Sequence, residues 1–272
     1  MMAALKTELR KITTTRLWWW LLVCMALYMA FLGGVMGFAL TVEGGGGMGG
    51  PGADPNAPPL DAEVVANTIY TLAPSLGYVF PVIVGALAVT NEFRHMTVTP
   101  TFLAEPRRLV VLVAKLLTSL PIGLLFGLVG TLSTVAAGAA VLALRGKETL
   151  LGEPTTLRTI ALSVLVLGVW AVVGVGFGTV LTNQVAAIVV LLAFTQFVEP
   201  ILRMLLGSFD VTEDIAKWLP GAAGEAVAGE SFYSATGIGT LLPWWQGLLV
   251  LLGYALALAA IGRFTALRRD IT

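Results

Sequence analysis

The chain has 272 residues, 57% of them hydrophobic and 12% charged, with a formal net charge of zero and a mean hydropathy of +0.89. A soluble domain of this length cannot bury so much apolar surface, which excludes an ordinary soluble globular protein. The single cysteine, Cys24, and the single histidine, His95, exclude a disulfide framework and metal sites that need several of either residue.

Long uncharged tracts predict the membrane-spanning elements. The first tract, Leu17–Val42, is 26 residues long, too long for the apolar core of a signal peptide. The tract 159–198 holds 40 residues without a charge. As one helix it would be about 60 Å long, twice the roughly 30 Å membrane core. It must therefore cross twice, with its turn at Thr182-Asn183-Gln184.

With three further tracts, this pattern predicts an all-α integral membrane protein with six transmembrane helices in a single domain, residues 1–272. The predicted spans are residues 17–40, 64–90, 110–143, 158–181, 185–206 and 241–262. Two regions between spans are expected outside the membrane. Glu43–Leu60 is rich in glycine and proline and predicts a flexible connector. Gly207–Leu242 mixes acidic, aromatic and helix-breaking residues and predicts short helices at the outer interface.

Basic residues are concentrated on one side of the predicted membrane. Eleven of the sixteen lie in the N-terminal tail, in the connection between spans two and three, and in the C-terminal tail. They are Lys6, Arg10, Lys11, Arg16, Arg94, Arg107, Arg108, Lys115, Arg263, Arg268 and Arg269. The positive-inside rule then predicts a multi-pass protein of the plasma membrane with both termini in the cytoplasm.

The connection between spans two and three, residues 91–108, mixes charges of both signs with apolar residues. We expect a helix over residues 91–104, bent by Thr99-Pro100-Thr101, with charged side chains that face water. A basic loop at the membrane surface and a short helix that docks onto a soluble partner both fit these residues.

The string NEFRHMTVTPTFLAEPRRLVVLVAK, residues 91–115, resembles the corresponding stretch of ABC type-2 transporter permeases, in the actinobacterial drug and natural-product exporter branch. The resemblance implies an N-terminal amphipathic segment, a cytoplasmic coupling helix between spans two and three, and a re-entrant external segment before span six. One departure is Met96, where the family often has glycine.

This resemblance implies a membrane permease of an ATP-driven exporter of a hydrophobic or amphipathic substrate: a drug, natural product, lipid or peptide. The sequence contains neither a hydrolytic site nor a Walker lysine motif. We therefore expect the chain not to be an enzyme and to hold no cofactor. ATP and Mg²⁺ would bind two separate ATPase subunits. The other expected partners are membrane lipids and a second copy of the chain or a homologous permease, and no nucleic acid. The residues expected to contact the ATPase are Glu92, Phe93, Arg94, His95, Thr97, Pro106, Arg107 and Arg108.

Two other functions stay open: a membrane anchor or scaffold that recruits a cytosolic protein without transport, and an ion-driven carrier. The carrier is disfavoured because such proteins usually need a titratable residue near the membrane midplane.

Polar residues inside a span are costly and therefore candidate functional residues. Glu199 and Arg203 are four residues apart in span five, so they can form a pair along one face of the helix. Gln196 lies one turn deeper, and Pro200 predicts a break between the partners. The pair fits a structural role in the outer bundle and also a role in a gate or exit path.

Span three and span four each contain a small-residue motif, Gly123-x-x-x-Gly127 and Gly174-x-x-x-Gly178. Such motifs let helix backbones approach closely. We expect these glycines to pack helices within one chain rather than between two chains.

Overall fold

The computed structural model describes residues 1–42, 61–207, 213–229 and 240–265. This part of the chain is helical and contains no β-strand. Numbered in chain order, its helices are α1 Met2–Thr14, α2 Leu17–Thr41, α3 Ala62–Arg94, α4 Val98–Ala104, α5 Arg108–Leu144, α6 Pro154–Val180, α7 Gln184–Gly207, α8 Glu213–Ala216, α9 Pro220–Ala228 and α10 Trp244–Phe264.

Among the described residues, the six helices α2, α3, α5, α6, α7 and α10 are long and apolar enough to cross a membrane. The prediction of six long apolar helices in an all-α chain is confirmed, and each bound lies within four residues of its predicted position. The chain is an integral multi-pass membrane protein. The connector Glu43–Leu60, the end of the C-terminal tail from residue 266, and parts of Gly207–Leu242 lie outside the described residues.

Hydrogen bonds between distant residues show which helix ends lie together. At one end Arg94, which closes α3, donates to the Gln184 side chain at the start of α7, 2.9 Å away. At the other end the Tyr70 hydroxyl donates to the carbonyl of Thr149 at 2.7 Å. We call the first the basic end, because α1 and α4 lie there with most of the basic residues, and the second the opposite end.

The predicted turn inside the 40-residue uncharged tract is confirmed. Helix α6 ends at Val180 and α7 begins at Gln184. The Asn183 side chain caps α7 by accepting a hydrogen bond from the Ala186 amide at 3.0 Å. An asparagine in this place satisfies one of the amides that a helix start leaves without a partner, so the chain reverses direction without a long loop.

Two of the spanning helices contain a π turn, at Ala73–Gly77 in α3 and at Phe194–Val198 in α7. Pro74 lies inside the first turn and Pro200 follows the second by two residues. Proline cannot donate the backbone hydrogen bond that an α-helix needs, and a local widening of the helix absorbs the mismatch. The other proline of α3, Pro81, continues in regular α-helix.

The helices approach each other closely where glycines meet a neighbouring backbone. Gly123 and Gly127 of α5 face α6, where an added Cβ would meet Gly168, Ala171 and Val164. Gly174 and Gly178 of α6 in turn face Val82 and Ala86 of α3. The prediction that these motifs pack helices within the chain is confirmed, and they place α3 next to α6 and α6 next to α5.

We predict that Gly174→Ala lowers the stability of the purified protein by about 1–3 kcal/mol, because its Cβ would collide with the backbone carbonyl of Val82. Gly253→Ala on α10 is the matched control, since nothing lies within 4 Å of a Cβ there. It should leave stability unchanged or raise it by up to about 1 kcal/mol. Thermal unfolding of both variants in lipid nanodiscs checks this. Equal behaviour would contradict the close packing of α6 on α3.

Candidate functional site

Four charged side chains from three helices meet at the basic end. Glu8 and Lys11 lie on α1, Glu92 lies in the last turn of α3, and Lys115 lies near the start of α5. We call these four residues the charge ring. Glu8, Glu92 and Lys115 are each at most 6% exposed, which is unusual for charged residues.

Charges of opposite sign alternate around the ring. Lys11 Nζ lies 2.7 Å from Glu8 Oε1 and 2.6 Å from Glu92 Oε1. Lys115 Nζ lies 2.6 Å from Glu8 Oε2 and 2.8 Å from Glu92 Oε1. Each ammonium therefore contacts both carboxylates, and the ring carries no net charge.

Each ammonium group also donates to an uncharged acceptor. Lys11 donates to the Thr101 hydroxyl of α4 at 3.1 Å, and Lys115 donates to the Ala88 carbonyl of α3 at 3.0 Å. Lys11 therefore uses all three of its donors, whereas Lys115 makes two hydrogen bonds and an ion pair with Glu92. Burial alone would lower the pKa of Lys11, but the hydrogen bonds and charges of Glu8 and Glu92 outweigh it and raise that pKa above its ordinary value.

A buried ion pair is weak evidence for stability, but breaking one by removing a single partner costs about 3–5 kcal/mol. The charge ring therefore fixes position more than it adds stability. Through Lys11 and Thr101 it connects α1, α3, α4 and α5 at one point, so these four elements cannot shift independently at the basic end.

The chain between α3 and α4 turns sharply at His95–Thr97. The Met96 amide donates to the Phe93 carbonyl at 3.3 Å, and the Thr97 amide donates to the Glu92 carbonyl at 2.9 Å. This is the Schellman pattern of a helix end, which places one residue in the left-handed region. That residue is Met96, with φ of +56°. Glycine adopts this conformation without strain, whereas methionine does so only at a cost.

Two expectations for this connection are wrong. There is no continuous helix over residues 91–104, because the turn at Met96 separates α3 from α4. Thr99-Pro100-Thr101 does not bend the chain but lies inside α4. Proline is tolerated there because the first amides of a helix have no intrahelical acceptor in any case.

The structure divides the eight residues predicted to contact a partner. Arg94, His95, Thr97, Pro106 and Arg107 are exposed, and Phe93 and Arg108 are partly buried. The expectation that Glu92 faces water is wrong, because its carboxylate is buried in the charge ring. Two apolar side chains that the sequence analysis did not select, Met96 and Leu103, are 76% and 78% exposed on the same segment.

A second buried cluster lies at the opposite end. The predicted pairing of Glu199 with Arg203 is confirmed, with Arg203 Nη2 3.5 Å from Glu199 Oε1. Arg203 lies closer to a third residue, Glu225 of α9, whose Oε2 is 2.9 Å from Nη1. All three are at most 6% exposed. We call Glu199, Arg203 and Glu225 the outer cluster.

The start of α9 stabilises the negative charge of the Glu199 carboxylate. Glu199 Oε1 accepts hydrogen bonds from the backbone amides of Gly221 and Ala222. Amides at a helix start carry partial positive charge and favour a carboxylate. Gly221 is required here, because a Cβ would collide with the carboxylate of Glu199. The outer cluster thus attaches α9 to α7.

Helix α9 is buried along Gly221–Ala228 and packs against α10, α6 and the π turn of α3. Gly224 lies against the indole of Trp170, which stacks on Tyr78 with ring centroids 4.5 Å apart. The Tyr78 hydroxyl donates to the Thr195 carbonyl in the π turn of α7. Gln196, the third predicted gate residue, is partly buried beside Thr195 and is not part of the outer cluster.

Sequence reasoning missed Glu8, Lys11 and Glu225 as members of these two charged clusters. Lys115 carried a signal, because it is the only charge inside the tract Leu109–Leu144 and such charges are expected to be paired. Its partners come from residues 8 and 92, far away in the chain, and no local spacing indicates them.

No group of three or more histidine, cysteine, aspartate or glutamate side chains in the described ranges is arranged to hold a metal ion. Comparison of the chain with protein-family models finds no match, and comparison with curated proteins finds no matching relative.

We predict that Arg203→Gln is the most damaging single change in the outer cluster, because it removes a cation that contacts two buried carboxylates. The expected loss of stability is about 3–5 kcal/mol. Adding Glu225→Gln should restore part of the lost stability. Adding Glu199→Gln should restore less, because the amides of α9 still stabilise the Glu199 carboxylate when Arg203 is replaced.

Thermal unfolding of the purified variants measures these effects. The control is Lys217→Gln, which removes an ion pair to Asp214, a residue whose side chain is 82% exposed, and it should change stability little. Additive effects of Arg203→Gln and Glu225→Gln would show that these two residues do not interact.

Proposed function

We propose that this chain is the membrane-spanning permease subunit of an ATP-driven exporter of the ABC type. It would pair with a second permease copy or a homologous permease and with two separate ATP-binding subunits, which hold ATP and Mg²⁺. Its substrate would be a hydrophobic or amphipathic molecule moved out of the cell. The observation that carries this proposal is the charge ring, which attaches an exposed surface segment to the spanning helices.

The surface segment has the composition of a protein-binding site. Met96 and Leu103 are exposed apolar side chains, and Arg94 and Arg107 are exposed cations beside them. Apolar residues surrounded by arginine are typical of interfaces with other proteins. Each ring lysine already contacts both glutamates, so recognition would depend on these peripheral residues.

Below this surface, α4 is attached to the bundle in two ways. Val98 is buried and Phe102 packs with Phe93 against Leu112 of α5. Lys11 links Thr101 of α4 to Glu92 of α3. A force applied to α4 by an ATPase would therefore reach α1, α3 and α5 together. Packed elements with few alternative arrangements transmit such displacements well.

The orientation follows from charge. The basic end would face the cytoplasm of a bacterial cell, where an ATPase has its nucleotide, and α9 would form a re-entrant helix in the outer half of the membrane. The outer cluster would then hold α9 in place on the exit side, as a structural support or as part of a gate.

The second candidate function is a membrane anchor that recruits a cytosolic protein without transport. The same exposed segment would serve it. The two functions differ in whether bound partner and ATP produce movement of a substrate across the membrane.

We predict that Leu103→Asp abolishes co-purification of the ATP-binding subunit that accompanies the wild-type chain, because it places a charge in the apolar part of the contact. Leu144→Asp is the matched control at the opposite end, where the leucine is 86% exposed. It should leave the complex intact. Reconstituted wild-type complex should export an amphipathic dye only with ATP. Partner binding without ATP-driven dye export would favour the anchor.

We predict a membrane orientation that single cysteines can report in a background without Cys24. Gly152→Cys, at an exposed site of the opposite end with open space around it, should react with an impermeant thiol reagent added to intact cells. Thr97→Cys, which is exposed at the basic end, should react only after the cells are opened. Labelling of Thr97→Cys in intact cells would reverse the orientation and remove the contact with a cytoplasmic ATPase.

A further inference from the structure

At the basic end a cavity of about 340 Å³ lies between α1 and α2 on one side and α3 on the other. Its size is within the range of roughly 300–1,000 Å³ that small-molecule sites occupy. Trp18 and Leu21 of α2 face Val84 and Leu87 of α3 across it, and the charge ring closes one end.

The charge ring at the closed end of the cavity favours a ligand that donates a hydrogen bond. Each lysine of the charge ring already contacts both carboxylates, and Glu8 pairs through both oxygens. Glu92 differs, because both lysines contact its Oε1. Its Oε2 accepts no hydrogen bond from the described residues, although the side chain is only 8% exposed and lines the cavity. This oxygen could accept a hydrogen bond from a ligand in the cavity.

We propose that this cavity binds a small amphipathic amine, with its ammonium group donating to Glu92 Oε2 and its apolar body between α2 and α3. An ammonium group suits the site because the charged residues that line the cavity are two carboxylates and one lysine, Glu8, Glu92 and Lys11. The indole of Trp18 adds an aromatic surface, which attracts cations. An anionic head beside Glu92 would be repelled by its carboxylate.

The apolar walls account for the rest of the selectivity. Burying an alkyl chain is worth about 0.8 kcal/mol per CH₂ group, so affinity should increase with chain length until the cavity is full. Binding of the amine by the chain itself is independent of ATP-driven export, because its measurement needs neither an ATPase nor transport.

The test uses the purified full chain in phosphatidylcholine nanodiscs, with octylamine as the probe and isothermal titration against empty nanodiscs. We expect saturable binding of octylamine and at least tenfold weaker binding of octanol and octanoate. Glu92→Gln should weaken octylamine binding at least tenfold. Equal binding of octanol would overturn the role of the ammonium group.

Glu92→Gln also disturbs the charge ring, so a second pair of variants keeps the proposal testable. Thr14 lines the cavity and is exposed, and its hydroxyl bonds only within α1. Thr14→Trp should therefore block the cavity and weaken octylamine binding at least tenfold without unfolding α1. Thr13→Trp is the matched control, since Thr13 is exposed, has the same kind of hydroxyl bond and does not line the cavity.

Unchanged binding to Thr14→Trp would overturn the proposal, and so would an equal loss in Thr13→Trp. Nanodiscs that contain phosphatidylethanolamine supply the other source of an ammonium group. Octylamine binding should persist in them. Its loss would assign the site to a lipid headgroup and overturn the assignment to a small amine.

Discussion

Satisfaction of buried charge is the constraint on which both ends of this bundle depend. At the basic end two lysines and two glutamates alternate, so that each ammonium contacts both carboxylates at 2.6–2.8 Å. An isolated ion in a low-dielectric interior costs several kcal/mol, so none of the four can be withdrawn alone. The charge ring therefore makes the position of the N-terminal helix depend on the ends of two spanning helices.

Among the described residues, the outer cluster at the opposite end contains one basic side chain, where the charge ring contains two. Arg203 faces two carboxylates, and backbone amides at the start of α9 supply the remaining positive charge at Glu199. Here a helix start replaces a second basic side chain. The result is that α9, which is too short to span a membrane, is attached to α7 among buried surroundings.

Helix α3 connects the two ends. Its last turn contributes Glu92 to the charge ring, and its π turn at Ala73–Gly77 packs against α9. Most of its side chains are buried, whereas α2 and α7 leave most of theirs on the outside of the chain. The cavity at the basic end is bounded by this same helix. A ligand in the cavity, α4 and α9 would therefore all act on α3.

Sequence alone determined the class of the protein, the six spanning helices and the turn at Asn183, because the hydrophobic effect acts on every residue and leaves a continuous trace along the chain. It also predicted the Glu199–Arg203 pair, since a spacing of four residues is local to one helix. Tertiary structure decided the rest. The partners of Lys115 lie at residues 8 and 92, and Glu225 reaches Arg203 from another helix. Such contacts depend on how helices pack in three dimensions, which the order of residues in one segment does not record.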